Sequence, residues 1–252
     1  MHHSRILAVG AFAAAALLAV LAPLAGQASV GRAAHSEPAH VSVGVRAEGI
    51  SSTLLPEVTV ATKAASVDKD GKPSDTCEGD TAAVALQDAT HGNWTAGTFS
   101  SGLGYPVIAI KGESYPFTSS YYWSFWVDNK PATTGICGVT LKKGDRLLFF
   151  PQCSQEAATS CPQGMFDPNV LALSAPKSAR VGKAITVSVS ALANLTGKAS
   201  PASGVKLSAA GRTLTTGASG RAKLMFAKAG RYRIIASAQN AIRDELTVRV
   251  SR

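Results

Sequence analysis

Alternating apolar and polar positions open the first globular stretch of the chain. Residues 41–46 (VSVGVR) and 57–62 (EVTVAT) alternate in this way, and Gly49 and Pro56 lie between them. A two-residue period is typical of half-buried β-strands, and glycine and proline mark turns. The pattern therefore predicts two strands joined by a hairpin connection.

The hydrophobic period changes after Asp80. Apolar residues then recur at helical spacing at Ala82, Ala83, Leu86 and Ala89. Asp80 suits an N-cap and His91-Gly92 ends the run, so the pattern predicts a short amphipathic helix over residues 81–90. Further strands are predicted at residues 107–111, 122–127 and 146–150. Strands interrupted by one helix indicate an α+β mixed sheet with the helix across one face.

From residue 170 onward the pattern predicts strands only. Seven short runs separated by glycines occupy residues 170–175, 184–191, 205–209, 213–216, 221–226, 232–238 and 245–250. Seven alternating strands in this length are typical of an all-β, two-sheet sandwich. We therefore predict a first domain at residues 41–166, a short linker at 167–169 (DPN) and a second domain at 170–252.

The N-terminus reads as an export signal. His2, His3 and Arg5 precede an uncharged, Ala/Leu/Val-rich run over residues 6–24, and Gly26-Gln-Ala28 supplies small residues for cleavage. We predict a signal peptide at residues 1–28 and a flexible leader at 29–40. The alternative is an uncleaved membrane anchor, because 19 apolar residues can just span a bilayer.

Composition and charge narrow the class of protein. The chain has 252 residues, of which 46% are hydrophobic, which excludes a disordered chain. The formal net charge of +9 is unevenly distributed: residues 29–169 carry 10 basic and 14 acidic side chains, whereas residues 170–252 carry 14 basic and only 2 acidic. The second domain, at +12, is therefore the part expected to attract an anionic envelope polymer or lipid surface.

Export makes disulfides the expected state of the four cysteines. Cys153 and Cys161 bracket a short polar stretch, and Cys77 and Cys137 then pair by elimination. A zinc site is disfavoured because the chain has no C-x-x-C and no His near a Cys in sequence. No metal is predicted.

Three stretches of the first domain carry a family resemblance: Tyr122-Trp-Ser-Phe-Trp-Val-Asp-Asn-Lys-Pro131, Gly135-Ile-Cys-Gly138 and the Leu-Lys-Lys-Gly-Asp corner that begins at Leu141. Residues 41–150 resemble the transcobalamin-like C-terminal domain of secreted bacterial proteins. The resemblance implies a β-grasp-like fold and a ligand surface for a corrinoid whose other half is missing or belongs to another protein. The second domain, with Gly217-Ala-Ser-Gly220 and Ala229-Gly-Arg-Tyr232, resembles bacterial immunoglobulin-like and carboxypeptidase-regulatory-like sandwiches.

An aromatic cluster is the candidate ligand surface. On a strand, Tyr122 and Trp126 face one way and Tyr121, Trp123 and Phe125 the other. We expect Trp123 and Phe125 under the helix and Tyr122 and Trp126 exposed for stacking on a ligand. The candidate binding residues are Tyr122, Trp126, Trp94 and Tyr121. The alternative is that all of them are packing aromatics.

Catalysis is not predicted. Beyond the signal peptide the chain has only His35, His40 and His91, and no G-x-S-x-G surrounds a serine. The acidic stretch at residues 68–75 loosely resembles a calcium loop, but it lacks the third ligand position before the glycine and the bidentate Glu at position twelve, so we interpret it as a solvated turn. No cofactor is predicted.

Two classes of function remain. The first is a secreted or cell-surface, non-catalytic binding or adhesion module, whose first domain presents an aromatic surface to a small molecule or glycan and whose basic sandwich contacts the anionic envelope. The second is a purely structural envelope protein. The family resemblance adds a corrinoid (cobalamin)-binding accessory protein as a further alternative. Export disfavours nucleic acid, and no second apolar run approaches 18 residues, so no membrane span is predicted after signal cleavage.

Overall fold

The computed structural model describes residues 40–154, 161 and 167–252. The predicted signal peptide and all of the leader except His40 lie outside the described residues. The described part of the chain is mostly β-strand with one nine-residue helix, and it belongs to a compact unit that runs from Ala39 to Arg252. No helix in it is both long and apolar enough to cross a membrane.

The first half of this unit, residues 40–154, combines its helix with ten strands. The helix α1 is Ala82–Thr90. The strands are β1 (Ser42–Glu48), β2 (Thr53–Ala61), β3 (Ser66–Asp68), β4 (Thr76–Glu78), β5 (Trp94–Ala96), β6 (Val107–Ile110), β7 (Glu113–Ser114), β8 (Tyr121–Val127), β9 (Lys130–Pro131) and β10 (Arg146–Cys153).

The main sheet of this half has the order β2-β1-β10-β8-β9. Strand β1 pairs antiparallel with β2, as the predicted hairpin requires, and parallel with β10. It is buried along both faces rather than half-buried, because the second half covers its polar side chains as well. Strand β10 pairs antiparallel with β8, with Phe149 opposite Phe125 and Leu148 opposite Trp126. Because successive side chains point to opposite faces, this register divides the sheet into two apolar faces.

One face of the sheet carries the core of the first half. Val43, Val45 and Ala47 of β1 and Leu147 and Phe149 of β10 are buried in one cluster with the apolar side of α1. The helix therefore lies across this face, where its alanines allow close packing. The cluster buries side chains of both the strand and the helix patterns that the sequence shows.

The N-terminus of α1 differs from the prediction. The N-cap is Thr81, without a side-chain capping bond, and Asp80 is not the cap. The Asp80 carboxylate instead accepts hydrogen bonds from the Thr62 hydroxyl and the Val41 amide, which fastens the ends of β1 and β2. His91 follows the helix with a left-handed φ of 53°, as expected for a C-terminal stop.

The second half, residues 167–252, is built from strands alone. They are β11 (Asn169–Ser174), β12 (Ser178–Arg180), β13 (Ala184–Leu192), β14 (Ala199–Pro201), β15 (Lys206–Ala209), β16 (Arg212–Thr215), β17 (Arg221–Met225), β18 (Gly230–Ser237), β19 (Ala241–Ile242) and β20 (Asp244–Ser251). All seven predicted runs coincide with strands. One sheet has the order β14-β13-β11-β19 with β17 on β13, and the other has the order β12-β20-β18-β15-β16.

Both sheets of the second half bury side chains in one shared core. Val187 and Val189 of β13 contribute from one sheet, and Leu207, Ile234 and Val248 contribute from the other. The strands alternate between these buried positions and exposed ones. The outer faces are therefore polar, and their charge is set by the exposed residues.

A third apolar cluster joins the two halves. It contains Tyr121, Trp126, Leu148, Phe150 and Cys153 of the first half and Val170, Leu192 and Ile242 of the second. These first-half residues lie mainly on the face of the main sheet that turns away from α1. The second half therefore covers that face.

Four charged side chains lie at the edge of this contact, two from each half. Arg46 of β1 lies 3.0 Å from the Asp244 carboxylate and 3.4 Å from Glu48. Arg243 lies 2.9 Å from Glu48 and donates a 2.8 Å hydrogen bond to the carbonyl of Gly49. Burial raises the pKa of Glu48 above its usual value, and the two arginines oppose that rise. We call these four side chains the interface ion network. Because each arginine is paired with a carboxylate of the other half, the network links the two halves.

Candidate functional site

The predicted aromatic surface is mostly buried. Trp123 lies on the α1 side of the main sheet, and Phe125 stacks there on Phe149 at 5.5 Å, as expected. Trp126, however, is only 1% exposed, so the expectation that it is open to a ligand is wrong. The alternation correctly puts Trp126 on the face away from α1, but the second half of the chain covers it there.

Two further candidate binding residues are also buried. Trp94 lies in the first-half core, where its Nε1 donates a 2.8 Å hydrogen bond to Gln87 and Lys69 lies 4.4 Å from its ring centroid. Tyr121 is buried in the cluster between the halves, and its ring lies 5.4 Å from that of Tyr115. Both act as packing residues.

Tyr122 is the candidate that remains accessible, at 44% exposure. It borders an apolar groove of about 560 Å³, whose floor is formed by Trp123 and Phe125. Two exposed side chains line the same groove: Phe117, 76% exposed, and Leu103, 61% exposed. Exposed apolar residues gathered around one concavity are typical of a binding site.

One wall of the groove is the loop that carries Leu103, and it packs closely against the loop that contains Gly135 and Cys137. A Cβ on Gly135 would lie 1.7 Å from the Leu103 carbonyl oxygen, and a Cβ on Gly104 would lie 2.1 Å from Cys137 Sγ. Gly104 also has a left-handed φ of 76°, which favours glycine. The disulfide Cys77–Cys137 anchors the second loop to β4. The wall is therefore fixed by backbone contact and a covalent bond.

Tyr105 fixes the other end of this wall. Its ring packs edge-on against Phe99 at 5.0 Å. The single proton of its hydroxyl faces two acceptors, the Asp70 carboxylate at 3.0 Å and the Asp75 carbonyl, and its oxygen accepts from the Lys69 amide at 3.1 Å. The Tyr105 hydroxyl is thus hydrogen-bonded to the acidic turn at residues 68–75, and the apolar ring of Tyr105 lines the groove.

The groove offers no charge to a ligand. None of the described side chains that line it is acidic or basic, and its polar groups are hydroxyls such as those of Thr98, Ser100 and Tyr122. Burial, and secondarily the nearby carboxylate of Asp167, raises the pKa of Tyr122 above its usual value. Tyr122 is therefore a neutral hydrogen-bonding group at neutral pH, and the groove suits an uncharged apolar or aromatic group.

A smaller cavity of about 310 Å³ also borders Tyr122 on the side of the second half of the chain. Gln152 lines it from β10, and Asn194 and Leu195 line it from the loop after β13. Asn194 Nδ2 lies 3.4 Å from the Asp167 carboxylate. The Tyr122 side chain is thus shared by two cavities, one of which includes residues of both halves.

Both disulfides have the predicted pairing, Cys77–Cys137 and Cys153–Cys161. Across residues 40–154, 161 and 167–252, no three His, Cys, Asp or Glu side chains are grouped to hold a metal ion. In the acidic turn, Asp68 Oδ1 accepts hydrogen bonds from the amides of Asp70 and Gly71, and Lys72 lies 3.6 Å from Asp70. These contacts are those of a solvated turn.

Sequence reasoning missed Leu103 and Phe117. Both lie in loops rich in Gly, Ser and Pro, outside any strand or helix, so no periodicity marks them. The available signal was an isolated large apolar residue within a turn-rich segment. That signal is weak because single exposed apolar residues are common.

Comparisons with known proteins match part of the chain. Residues 79–150 match the family described as "Domain of unknown function (DUF4430)". No curated protein sequence matches the chain. Among solved structures, the chain is similar to a "putative metal binding protein" from Ruminococcus gnavus ATCC 29149, with a TM-score of 0.32 and 11% sequence identity over 45% of this chain and 98% of that one.

Proposed function

We propose that this protein is an exported, non-catalytic binding protein that holds an uncharged apolar or aromatic group in the groove between Leu103, Phe117 and Tyr122. The main support is that Leu103 and Phe117, both more than half exposed, line one cavity that contains no charged side chain among its described residues. Leaving such residues in water is unfavourable, and a ligand that covers them recovers part of that free energy. A groove of this volume lies within the usual range for small-molecule sites, about 300–1,000 Å³.

We also propose the finer fold and location that the sequence suggests. Residues 41–166 would be a β-grasp-like domain related to the transcobalamin-like C-terminal domain, supported by the helix across a mixed sheet. Residues 170–252 would be an immunoglobulin-like sandwich, supported by the two sheets around one core. Two disulfides are typical of exported proteins and support secretion.

The structural-envelope alternative is supported by a different observation. All 14 basic side chains of residues 170–252 except Arg243 are exposed, whereas both acidic ones, Asp244 and Glu245, are buried. The surface of this half is therefore positive without exposed carboxylates. An envelope-contacting role needs only this surface and no ligand in the groove.

Titration with the neutral dye Nile red tests the groove. Leu103→Asp and Phe117→Asp each put a carboxylate where the ligand would lie, and both positions are exposed, so the fold should tolerate them. We expect each variant to weaken dye binding by about tenfold or more. Met225→Asp is the matched control, because Met225 is 48% exposed on β17 and lines no part of the groove. Equal dye binding by all four proteins would refute the proposal.

Trp123 allows the class of ligand to be identified in the same protein. It lies in the groove floor, whereas Trp94 and Trp126 are buried elsewhere. Cyanocobalamin, chitin oligosaccharides and a neutral aromatic compound are titrated separately while tryptophan fluorescence is followed. A saturable change that Leu103→Asp abolishes identifies the class, and a change that survives this substitution excludes the groove.

A further inference from the structure

Arginines lie directly opposite each other on the outer face of the second half. In the antiparallel pair β18/β20, Arg231 is opposite Arg249 and Arg233 is opposite Thr247. Directly opposed side chains on neighbouring strands lie about 4.5–5.5 Å apart at Cβ, and like charges there destabilise the pair. Arg233 has a partner, Glu245, at 3.5 Å. Arg231 and Arg249 have no ion pair or side-chain hydrogen bond with any described residue.

A cavity of about 590 Å³ opens over this pair. Its described lining consists of Arg231, Arg249, Lys177 and Thr247 together with Gly230 and Val250. Lys177 is held at the edge because its carbonyl accepts a 3.1 Å hydrogen bond from the Arg249 amide. Three cations and a hydroxyl therefore line one concavity with no carboxylate.

No exposed acidic side chain of the second half offsets the positive charge of Arg231, Arg249 and Lys177. Every residue from 170 to 252 is described, and the only acids, Asp244 and Glu245, are buried. Asp244 is paired with Arg46 of the first half. The positive field over Arg231 and Arg249 is thus not neutralised by exposed carboxylates of the same half.

The adjoining cavity limits the site on one side. It shares Lys177 and Thr247 with the first cavity, but it also contains Glu57 and Glu245. Arg146, the ion-pair partner of Glu57, lines it as well, so the two carboxylates there offset its two cations and the net attraction for an anion is weaker than at Arg231 and Arg249. The attraction is therefore concentrated at the arginine pair.

We propose that Arg231, Arg249, Lys177 and Thr247 form a binding site for the phosphate groups of an anionic polymer. A guanidinium donates two parallel hydrogen bonds to an oxyanion, and a carboxylate has only two oxygens to accept them. Two opposed guanidinium groups, an ammonium and a hydroxyl together need more acceptors than one such group offers, and closely spaced phosphate groups of one chain supply them, each with two free oxygens. The cavity volume leaves room for more than one phosphate, so a chain of them fits better than the free ion. This site shares no residue with the groove, so it stands or fails independently of it.

Calorimetric titration with short-chain linear polyphosphate tests the site. We expect saturable binding at about 0.05 M salt that weakens steeply at about 0.3 M salt. Arg231→Glu puts a carboxylate opposite Arg249, which creates a cross-strand ion pair and removes the like-charge contact. This variant should be at least as thermally stable as the wild type and should bind polyphosphate at least about tenfold more weakly.

Arg212→Glu is the matched control. Arg212 is an exposed arginine on β16, opposite Ala209, and its substitution changes the net charge by the same amount. We expect it to weaken binding by no more than about twofold. Equal loss in Arg231→Glu and Arg212→Glu would overturn the proposal, because it would mean attraction to diffuse charge alone.

Three further titrations decide the chemistry of the ligand. Inorganic phosphate should bind the same site more weakly than the chain, with the same sensitivity to Arg231→Glu. Polyglutamate of similar length should bind more weakly than polyphosphate, and equal affinity would refute phosphate recognition. Vesicles containing phosphatidylglycerol should compete poorly with polyphosphate. Tighter binding to the vesicles would replace the polymer with a lipid surface and overturn the proposal.

Discussion

Removal of Arg243 tests whether the two halves are held together by the interface ion network. Arg243 donates through Nε to Glu48 at 2.9 Å and through Nη2 to the Gly49 carbonyl at 2.8 Å. Glu48 is almost completely buried, with a side-chain exposure of 1%. Arg243→Ala therefore leaves a buried carboxylate with one of its two cations removed.

The structure sets the size of the expected effect. Removing one partner of a buried ion pair destabilises a protein by about 3–5 kcal/mol. Glu48 keeps Arg46 at 3.4 Å and the Thr53 hydroxyl at 2.9 Å, so we expect the lower end, about 3 kcal/mol. In a protein of this size that corresponds to a decrease in Tm of about 6–12 °C.

Denaturation in guanidinium chloride, followed by tryptophan fluorescence and calorimetry, measures this loss. Trp126 lies between the halves, so its emission reports their separation, whereas Trp94 reports the first-half core. Arg243→Ala should shift the midpoint of the fluorescence transition, to which all three tryptophans contribute, to lower denaturant concentration. Arg212→Ala, which removes an exposed arginine, should change the free energy of unfolding by no more than about 0.5 kcal/mol.

A double-mutant cycle separates the ion pair from other effects of truncating Arg243. In the Glu48→Gln background the buried charge is absent, so Arg243→Ala should destabilise the protein by clearly less than in the wild type. If Arg243→Ala lowers the free energy of unfolding of the wild type by less than about 1 kcal/mol, which is the contribution of an exposed ion pair, the reasoning is refuted. An equal loss in both backgrounds would assign the effect to lost packing instead.

Two further predictions concern the first half of the chain. The Cys77–Cys137 bond closes a 60-residue loop, so replacing both cysteines with alanine should lower the free energy of unfolding by about 4 kcal/mol in chemical denaturation; a loss below about 1 kcal/mol would contradict this. Burial and the Glu113 carboxylate raise the pKa of Tyr115 above its usual value of 10.0, so the fold holds this proton more tightly than the unfolded chain does. The resulting stabilisation is fully present below pH about 10 and is lost as the pH rises beyond it; Tyr115→Phe should therefore flatten the fall of Tm between about pH 9.5 and 11, and an unchanged slope would contradict the assignment.

The longer strands could be predicted from the sequence because their signal is local, whereas strands of two or three residues, such as β3, β12 and β14, are too short to show a period. An exposed outer face and a buried inner face impose a two-residue period on β13 and β20, and glycines interrupt that period at the turns. The helix was also predictable, but its N-cap was not. Asp80 is a favourable capping residue in isolation, yet its carboxylate binds Thr62 and Val41, which are distant in sequence. A tertiary contact overrode the local preference.

The binding surface was harder to predict because it depends on what covers each face. Alternation puts Tyr122 and Trp126 on the same side of β8, which the structure agrees with. It does not reveal that Trp126 lies under the second half while Tyr122 extends past its edge. The groove is completed by two loop residues. Leu103 is positioned by the disulfide and by close backbone packing at Gly104 and Gly135, and Phe117 packs against Gly97, where a Cβ would lie 3.0 Å from its ring.

The same contact between the halves also changes the meaning of the net charge. The second half has only two acids, and the structure buries both, one of them in a pair with Arg46. Joining the halves therefore covers Asp244, while Glu245 lies against Arg233 of its own half and the arginines and lysines exposed on the second half stay in place. It also covers Trp126 and leaves Tyr122 at the rim of the groove. Asp244 stays covered only while the halves are joined, because its partner Arg46 belongs to the first half.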